Sequence, residues 1–378
     1  MKDFPHGGRT YGEAARLDFS ANINPLGMPE KVRDAALQGV LRSGEYPDPS
    51  NTVLTEKLSR RWGISPEMLT FGNGAAELLL RAACACPSDV TIIPIPSFYE
   101  YERAARACGS EICWIRLEKE NGFVLDERIL SEILHAARRE RDRGKTVSVL
   151  LGNPNNPTGR CIPGEILDAL LTALEQMDIR LLVDESFLPF AKAEETHTVI
   201  RRLKSGRKIA ALRSFTKIFG MPGLRLGVLA TGDRQWNEAL FGCAQPWPIS
   251  LPAQLAGEAA LDEKDFITAT TELITAEREY LCRELQKDLV WELHAGPAPF
   301  VLFQAPADTA ARLKEQGILI RSCKNFRGHV KSAGGIKRIA HAKQLIIKDW
   351  KHTTRQTQLI CNYRFVAHRD NRNVWFTT

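Results

Sequence analysis

The chain has 378 residues, 44% of them apolar and 25% charged, with a net charge of +6 at neutral pH. That length and balance suit a soluble globular protein with room for a large domain and a smaller one. No apolar run approaches the ~18 residues that a membrane helix needs, no signal peptide opens the chain, and basic residues are mixed with acids, as in Arg138-Arg139-Glu140-Arg141-Asp142-Arg143. A solvated helix face explains that pattern better than a nucleic-acid patch, so the expected partner is a small molecule, neither nucleic acid nor membrane.

Three strings stand out near the start: His6-Gly7-Gly8, then Leu17-Asp18-Phe19-Ser20-Ala21-Asn22-Ile23-Asn24-Pro25-Leu26-Gly27, then Tyr46-Pro47-Asp48-Pro49. From about residue 50 to about 240, strand and helix patterns alternate, as a mostly parallel α/β sheet demands. Leu69-Thr70-Phe71 reads as a short strand running through Gly72-Asn73-Gly74-Ala75-Ala76-Glu77 into the helical run Leu78-Leu79-Leu80. Strand, small-residue turn and helix N-terminus can hold a phosphate with amides and helix dipole; Asn and Gly also make ordinary turns. Val90-Thr91-Ile92-Ile93 is an apolar strand leading to Pro96-Ser97-Phe98. Val147-Ser148-Val149-Leu150-Leu151 is another, and it delivers the rigid polar turn Gly152-Asn153-Pro154-Asn155-Asn156-Pro157-Thr158-Gly159. That turn lies at a strand's carboxyl end, where open α/β sheets bind ligands. Ile179-Arg180-Leu181-Leu182-Val183 runs into Asp184-Glu185-Ser186-Phe187, a second strand ending in a carboxylate.

Residues 213 to 225 read Arg-Ser-Phe-Thr-Lys-Ile-Phe-Gly-Met-Pro-Gly-Leu-Arg, setting Lys217 beside the hydroxyls of Ser214 and Thr216, with Arg225 behind a Pro-Gly turn. A lysine that forms a Schiff base needs a pocket that keeps its amine reactive, beside whatever anchors the aldehyde. Ser214 and Arg225 suit such an anchor, because a hydroxyl and a guanidinium together grip a phosphate. Alone, the stretch also reads as a turn carrying an exposed lysine. Gly220 to Ala230 continues as turn and strand, and Thr268 to Leu289 looks like a long charged helix. Nine cysteines are scattered without zinc-ligand pairing, Cys84-Ala85-Cys86 being too tight; no metal is expected. Their odd number suggests reduced thiols and the cytoplasm.

Asn-Pro-Thr-Gly, then Asp-x-x-aromatic, then Ser-x-x-Lys with an arginine eight residues on resembles the signature of the fold-type-I pyridoxal-phosphate enzymes, the aspartate aminotransferase superfamily. The resemblance implies an α/β fold, with a mostly parallel central sheet flanked by helices in a large domain over residues 45–260. A smaller α+β domain would join residues 1–44 to 261–340. Pyridoxal 5'-phosphate is the implied cofactor, Lys217 its Schiff-base lysine and proton shuttle. Asp184 would face the pyridine nitrogen, since a protonated ring is the better electron sink. Asn156 matches the residue at the ring's phenolic oxygen, and Phe98 the aromatic stacked on the ring, with a core role as its alternative. The Gly74, Ala75 and Ala76 amides, Ser214 and Arg225 match the phosphate site. Phe187 stands where many relatives carry a tyrosine that donates to the phenolic oxygen, which phenylalanine cannot do. The family places Tyr46 of one subunit on the other's cofactor phosphate, implying a homodimer; the alternative for Tyr46 is packing on Pro47 and Pro49.

The Tyr-Pro-Asp-Pro turn is shared with the histidinol-phosphate aminotransferases. His-Gly-Gly with Asp-Phe-Ser-Ala-Asn-Ile-Asn-Pro-Leu-Gly resembles the L-threonine-O-3-phosphate decarboxylases of the cobalamin pathway. The latter implies decarboxylation of threonine phosphate to (R)-1-aminopropan-2-yl phosphate, the former amino transfer. Either way a small phosphorylated amine substrate is expected. Arg338, in Lys337-Arg338-Ile339-Ala340, matches the arginine that binds the substrate carboxylate; Arg321 and His6 are candidates for the substrate phosphate, and Asn24 is a further substrate-binding candidate. For Arg327 a surface salt bridge is preferred, and it is the alternative for Arg321. A DNA-linked regulator or inactive relative is the third possibility; the presence of both Lys217 and Asp184 argues against inactivity.

After Ala340 the resemblance stops, and residues 341–378 form an atypical, basic, aperiodic tail. Reading codons permitted by His341 to His352 from the third base allows Arg-Lys-Ala-Ile-Asp-Asn-Lys-Arg-Leu-Glu-Ala, which looks like the expected final helix. A one-base frame change near codon 341 is therefore the working explanation, with irregular structure beyond it.

Overall fold

The computed structural model describes residues 7–8, 17–288, 292–306, 308–324, 326–327, 333–334 and 356–362. The strands in chain order are β1 Leu17–Phe19, β2 Leu69–Gly72, β3 Val90–Ile95, β4 Glu111–Arg116, β5 Val147–Gly152, β6 Arg180–Asp184 and β7 Ile209–Ser214. They continue as β8 Gly227–Thr231, β9 Leu293–Ala295, β10 Phe300–Pro306, β11 Ile318–Ser322, β12 Ala333–Gly334 and β13 Gln356–Asn362.

Seven of these strands form the central sheet, in the order β2-β8-β7-β6-β5-β3-β4. Neighbours from β4 to β7 pair in parallel, while β8 runs antiparallel to both β7 and β2. Both faces are covered, which is why β3, β7 and β8 are buried at every residue and read as continuous apolar runs. The period of two still sorts the side chains. Val149, Leu151, Leu181, Val183, Ala211 and Val228 join one core cluster; their neighbours Leu150, Leu182, Leu212 and Leu229 join the other.

Helices α1 (Glu30–Leu41) and α2 (Thr52–Trp62) precede the sheet, followed by α3 (Ala75–Ala85), α4 (Tyr99–Ala107), α5 (Glu127–Asp142) and α6 (Gly164–Gln176). Ile129, Ile133, Leu167 and Leu170 bring α5 and α6 to the first cluster, and Leu78, Leu79, Tyr101 and Ala104 bring α3 and α4 to the second. Each of these helices leaves the carboxyl end of a strand, so their N-termini gather at one edge of the sheet, with Gly72, Gly152, Asp184 and Ser214.

The remaining strands form a second sheet, β1-β11-β12-β13-β10-β9. Here β1 pairs in parallel with β11, Leu17 opposite Ile318. The long charged helix expected over 268–289 is present as Lys264–Asp288. The tail differs from expectation in one place. Gln356–Asn362 pairs antiparallel with Phe300–Pro306 over seven residues, where irregular structure was expected. An edge strand presents a row of unpaired backbone donors and acceptors that any extended segment can occupy, so local aperiodicity is a poor guide there. The rest of the tail lies outside the described residues.

A buried ion pair joins β6 to β7 immediately behind the site. Arg213 is 5% exposed and donates to the fully buried Glu185 (Nε to Oε2, 2.9 Å), to Glu194 (2.7 Å) and to Thr198 (3.1 Å). Glu185 also accepts from the Val199 amide and the Thr198 hydroxyl, at 2.6 and 2.8 Å. Removing one partner leaves an uncompensated buried charge, which typically costs about 3–5 kcal/mol. Arg213→Met should therefore lower unfolding free energy by about that much in urea titration; a loss below about 1 kcal/mol would show the pair to be energetically idle.

Candidate active site

A cavity of about 220 Å³ opens at the carboxyl edge of the central sheet, and Lys217, Asp184, Asn156, Phe98, Phe187, Ser214, Arg225, Ala75 and Ala76 all line it. Lys217 sits on a single helical turn, Phe215–Ile218, directly after β7. Its carbonyl accepts from the Asn24 amide at 3.0 Å, so the N-terminal segment braces the turn. Its amine is pushed down to about 8, by burial first and then by the Arg225 charge, with Asp184 pulling the other way. A buried amine near a second cation is how a lysine keeps a reactive neutral fraction near neutral pH.

Asp184 ends β6 and has two donors. The Ser186 amide reaches Oδ1 at 2.9 Å and the Tyr101 hydroxyl reaches Oδ2 at 3.0 Å. Burial raises the Asp184 carboxyl above the ordinary aspartate range, against these bonds and the Lys217 charge. Tyr101 is itself pushed well above the usual phenol range by burial and then by Asp184, so it remains a donor. Gly152 makes room for it, since a Cβ there would stand 2.7 Å from the hydroxyl. Tyr101 escaped the sequence reading. Its position three residues after Phe98 on α4 was the available signal, because i and i+3 share a helix face; the two rings meet edge to face at 5.7 Å.

The other end of the cavity is a cradle. Gly74 has φ +82°, and a Cβ on it would lie 2.5 Å from an Arg225 guanidinium nitrogen. Gly227 likewise admits the turn, its virtual Cβ only 2.7 Å from the Ala75 nitrogen. Arg225, at φ 63°, donates to the carbonyls of Pro222 (3.2 Å) and Asn73 (3.5 Å), which hold it over the start of α3. Ser214 and Thr216 share a 2.7 Å hydrogen bond beside it. Amides at a helix N-terminus, two hydroxyls and a guanidinium are the donor set of a phosphate site. Gly74→Ala combines a strained φ with displacement of Arg225, so cofactor affinity should fall at least about tenfold (about 1.4 kcal/mol). Fluorescence titration of the apoprotein measures it; unchanged affinity would place the phosphate elsewhere.

The other expected residues divide. Arg321, on β11, lines the cavity with its guanidinium 5.7 Å from the Phe326 ring centre. Asn24 does not line it. Its amide nitrogen donates to the Ile218 carbonyl (2.6 Å) and to Thr270 (2.8 Å), and its Oδ1 accepts from the Leu26 amide. Asn24 therefore supports the lysine turn, and Asn22, two residues earlier, faces the cavity with Oδ1 buried and lacking a partner among the described residues. Arg327 pairs with Glu102 at 2.7 Å and lies over Trp114, the salt bridge preferred for it. Tyr46 lies outside this cavity, 75% exposed, with its ring stacked 4.1 Å from Trp247. Phe187 lines the cavity and packs edge to face on Phe300 at 5.2 Å. His6 and Arg338 lie outside the described residues.

A buried reactive lysine, a carboxylate fixed by two donors and a phosphate cradle, all in one cavity, fit pyridoxal phosphate. The fold and site together define a fold-type-I pyridoxal-phosphate enzyme. Residues 15–342 match the profile of aminotransferase class I and II, and the chain belongs to that family, with pyridoxal phosphate as its cofactor. It is 33% identical to the threonine-phosphate decarboxylase of Salmonella typhimurium, over 82% of this chain and 84% of that one. It is 30% identical to the histidinol-phosphate aminotransferase of Methanosarcina mazei, over 84% and 83%. The solved histidinol-phosphate aminotransferase from Clostridium acetobutylicum superposes with a TM-score of 0.73 at 27% identity, covering 82% of this chain and 91% of that one. Among the described residues no helix is long and apolar enough to cross a membrane.

Proposed function

We propose that this enzyme decarboxylates L-threonine O-3-phosphate to (R)-1-aminopropan-2-yl phosphate, a step toward cobalamin, in the cytoplasm. The observation that carries a phosphorylated substrate is a second cation in the lysine cavity, and the choice of decarboxylation rests on the resemblance of the His6-Gly7-Gly8 and Asp18-to-Gly27 strings. Arg225 comes from the central sheet's phosphate cradle and Arg321 from the second sheet, so one phosphate can be held by each. The Salmonella relative's name supports the same choice.

The residues divide the work. The amides of Gly74, Ala75 and Ala76, with Ser214 and Arg225, hold the cofactor phosphate. Asp184, Phe98 and Asn156 line the same cavity and would hold the cofactor ring, Asp184 toward its pyridine nitrogen, Phe98 over its face and Asn156 toward its phenolic oxygen. The bound cofactor supplies an electron sink for the bond broken at the substrate's α-carbon. Arg321 holds the substrate phosphate, with His6, and Arg338 the carboxylate that leaves as CO₂. Lys217 holds the cofactor before substrate arrives and then returns a proton to the α-carbon. Phe187 presents an apolar edge where a hydroxyl would otherwise reach the phenolic oxygen. Tyr46 completes the phosphate site of a second copy, so the working unit is a homodimer; its exposure outside its own chain's cavity supports this.

Amino transfer is the second reading, favoured by the Methanosarcina relative at 30% identity. Purified protein loaded with pyridoxal phosphate decides between them. Carbon dioxide release from threonine phosphate is expected. Amino transfer from glutamate to imidazole-acetol phosphate, without carbon dioxide release, would make it an aminotransferase.

A further inference from the structure

We infer that Cys84 and Cys108 are a modification site: the two thiols close to an intramolecular disulfide when a hydroperoxide is present. The site stands apart from the cavity described above and does not depend on the reaction proposed there.

Cys84 lies in the last turn of α3 and is exposed, while Cys108 caps the C-terminus of α4 and is half-buried. The two helices pack side by side, and the thiols are in direct S–H···S contact at 2.6 Å. Cys108 also faces a separate cavity of about 40 Å³, walled by Cys86, Ser88, Thr91, Ser110 and Ser148. Its hydroxyls are already linked, Ser88 to Ser148 at 2.7 Å and Thr91 to Ser110 at 2.8 Å. Apolar side chains, among them Leu150, Leu182 and Trp236, make up much of the same lining, so peroxide reaches the pair from solvent at the exposed Cys84.

The asymmetry of the pair sets the order of events. Burial, and then the bond to Cys84, holds the Cys108 thiol well above the ordinary thiol range, while Cys84 is the more exposed of the two sulfurs. Cys84, the exposed partner, is the sulfur that attacks. Its thiolate takes one oxygen from hydrogen peroxide, giving the sulfenic acid and releasing hydroxide, which is protonated to water. Cys108, losing its proton, attacks the Cys84 sulfur and displaces the hydroxyl as a second water. Two thiols lose two electrons and two protons, and one peroxide becomes two waters. Cys243 is exposed as well, but it has no comparable thiol contact among the described residues.

The bridge joins the far ends of α3 and α4, opposite the ends where Ala75, Ala76, Phe98 and Tyr101 line the lysine cavity. It closes a loop of about 25 residues, which by chain-entropy reasoning raises the melting temperature by about 5 °C.

The experiment uses purified, cofactor-loaded protein treated with a small excess of hydrogen peroxide, then alkylated and digested with trypsin. The expected product is peptide 82–103 linked to peptide 107–116, with fragment ions placing the bridge at Cys84 and Cys108. Dithiothreitol should reverse both the link and the rise in melting temperature. Cys84→Ser and Cys108→Ser should abolish both, and Cys243→Ser should leave both intact. A bridge mapping to Cys86 or Cys113, an intermolecular link through Cys243, or overoxidation of Cys84 with Cys108 still free would each overturn the inference.

Discussion

Lys217→Ala should lose turnover by at least about 10³-fold and, with it, the visible absorbance band that borohydride bleaches in the loaded protein. An amine at about 8 is roughly one-tenth neutral at pH 7, against well under one part in a thousand for an ordinary lysine near 10.5. In the proposed role, alanine removes both the covalent anchor and the proton carrier, and among the described residues no other lysine lines the cavity. The depressed amine also has a signed consequence for stability. Between pH 8 and 10.5 the unfolded chain holds this proton and the folded chain has released it, so stability rises with pH across that window. Below about 8 the penalty of charging the amine in the folded apoprotein is fully present; above about 10.5 it is gone. The slope should be present in wild-type apoprotein and absent from Lys217→Ala. Urea titrations at pH 7.5, 9 and 10.5 measure it. A variant that retained the same reducible adduct, or the same slope, would remove Lys217 from its assigned place.

Asp184→Ala should cost turnover about 10²–10⁴-fold while cofactor content stays within a few-fold of wild type. In the proposed arrangement the cradle at Gly74 and Arg225 supplies the affinity without Asp184, and the carboxylate ending β6 is the group that would keep a ring nitrogen protonated. The variant also strands the Tyr101 hydroxyl and the Ser186 amide that now donate to the carboxylate. Asp184→Asn separates the two effects, since it can satisfy the tyrosine without carrying the charge. Steady-state turnover alongside absorbance measurement of bound cofactor tests both. Near-normal turnover in Asp184→Ala would mean that the residue only braces the strand end.

The central sheet was legible because its strands announce themselves twice, by unbroken apolar runs and by the polar turn that ends each one. Val147–Gly152 and Arg180–Asp184 end within a residue of where the runs ended. The lysine turn and the turn over residues 72–77 were legible for a local reason: each is one short segment following one strand. What escaped depends on distant parts meeting. Tyr101 gains its meaning from Asp184, eighty-three residues away, and from the space left by Gly152. Asn24 and Asn22 lie two residues apart in one polar string, and only packing against Ile218 and Thr270 turns the first of them away from the cavity. Gln356–Asn362 joins a sheet whose open edge no local pattern reveals.

The parallel pairing of β1 with β11 sets a timetable for synthesis. Leu17 sits opposite Ile318, so about 300 residues must leave the ribosome before β1 has its neighbour. At 5–20 residues per second that is a delay of roughly 15–60 s. All seven strands of the central sheet, ending at Thr231, emerge within that interval and can pair while β1 waits. The segment that braces the Lys217 turn through Asn24 belongs to the waiting end. Nascent chains halted before residue 318 would thus carry a complete central sheet and an unpaired leading strand, a transient that chaperones are well placed to hold.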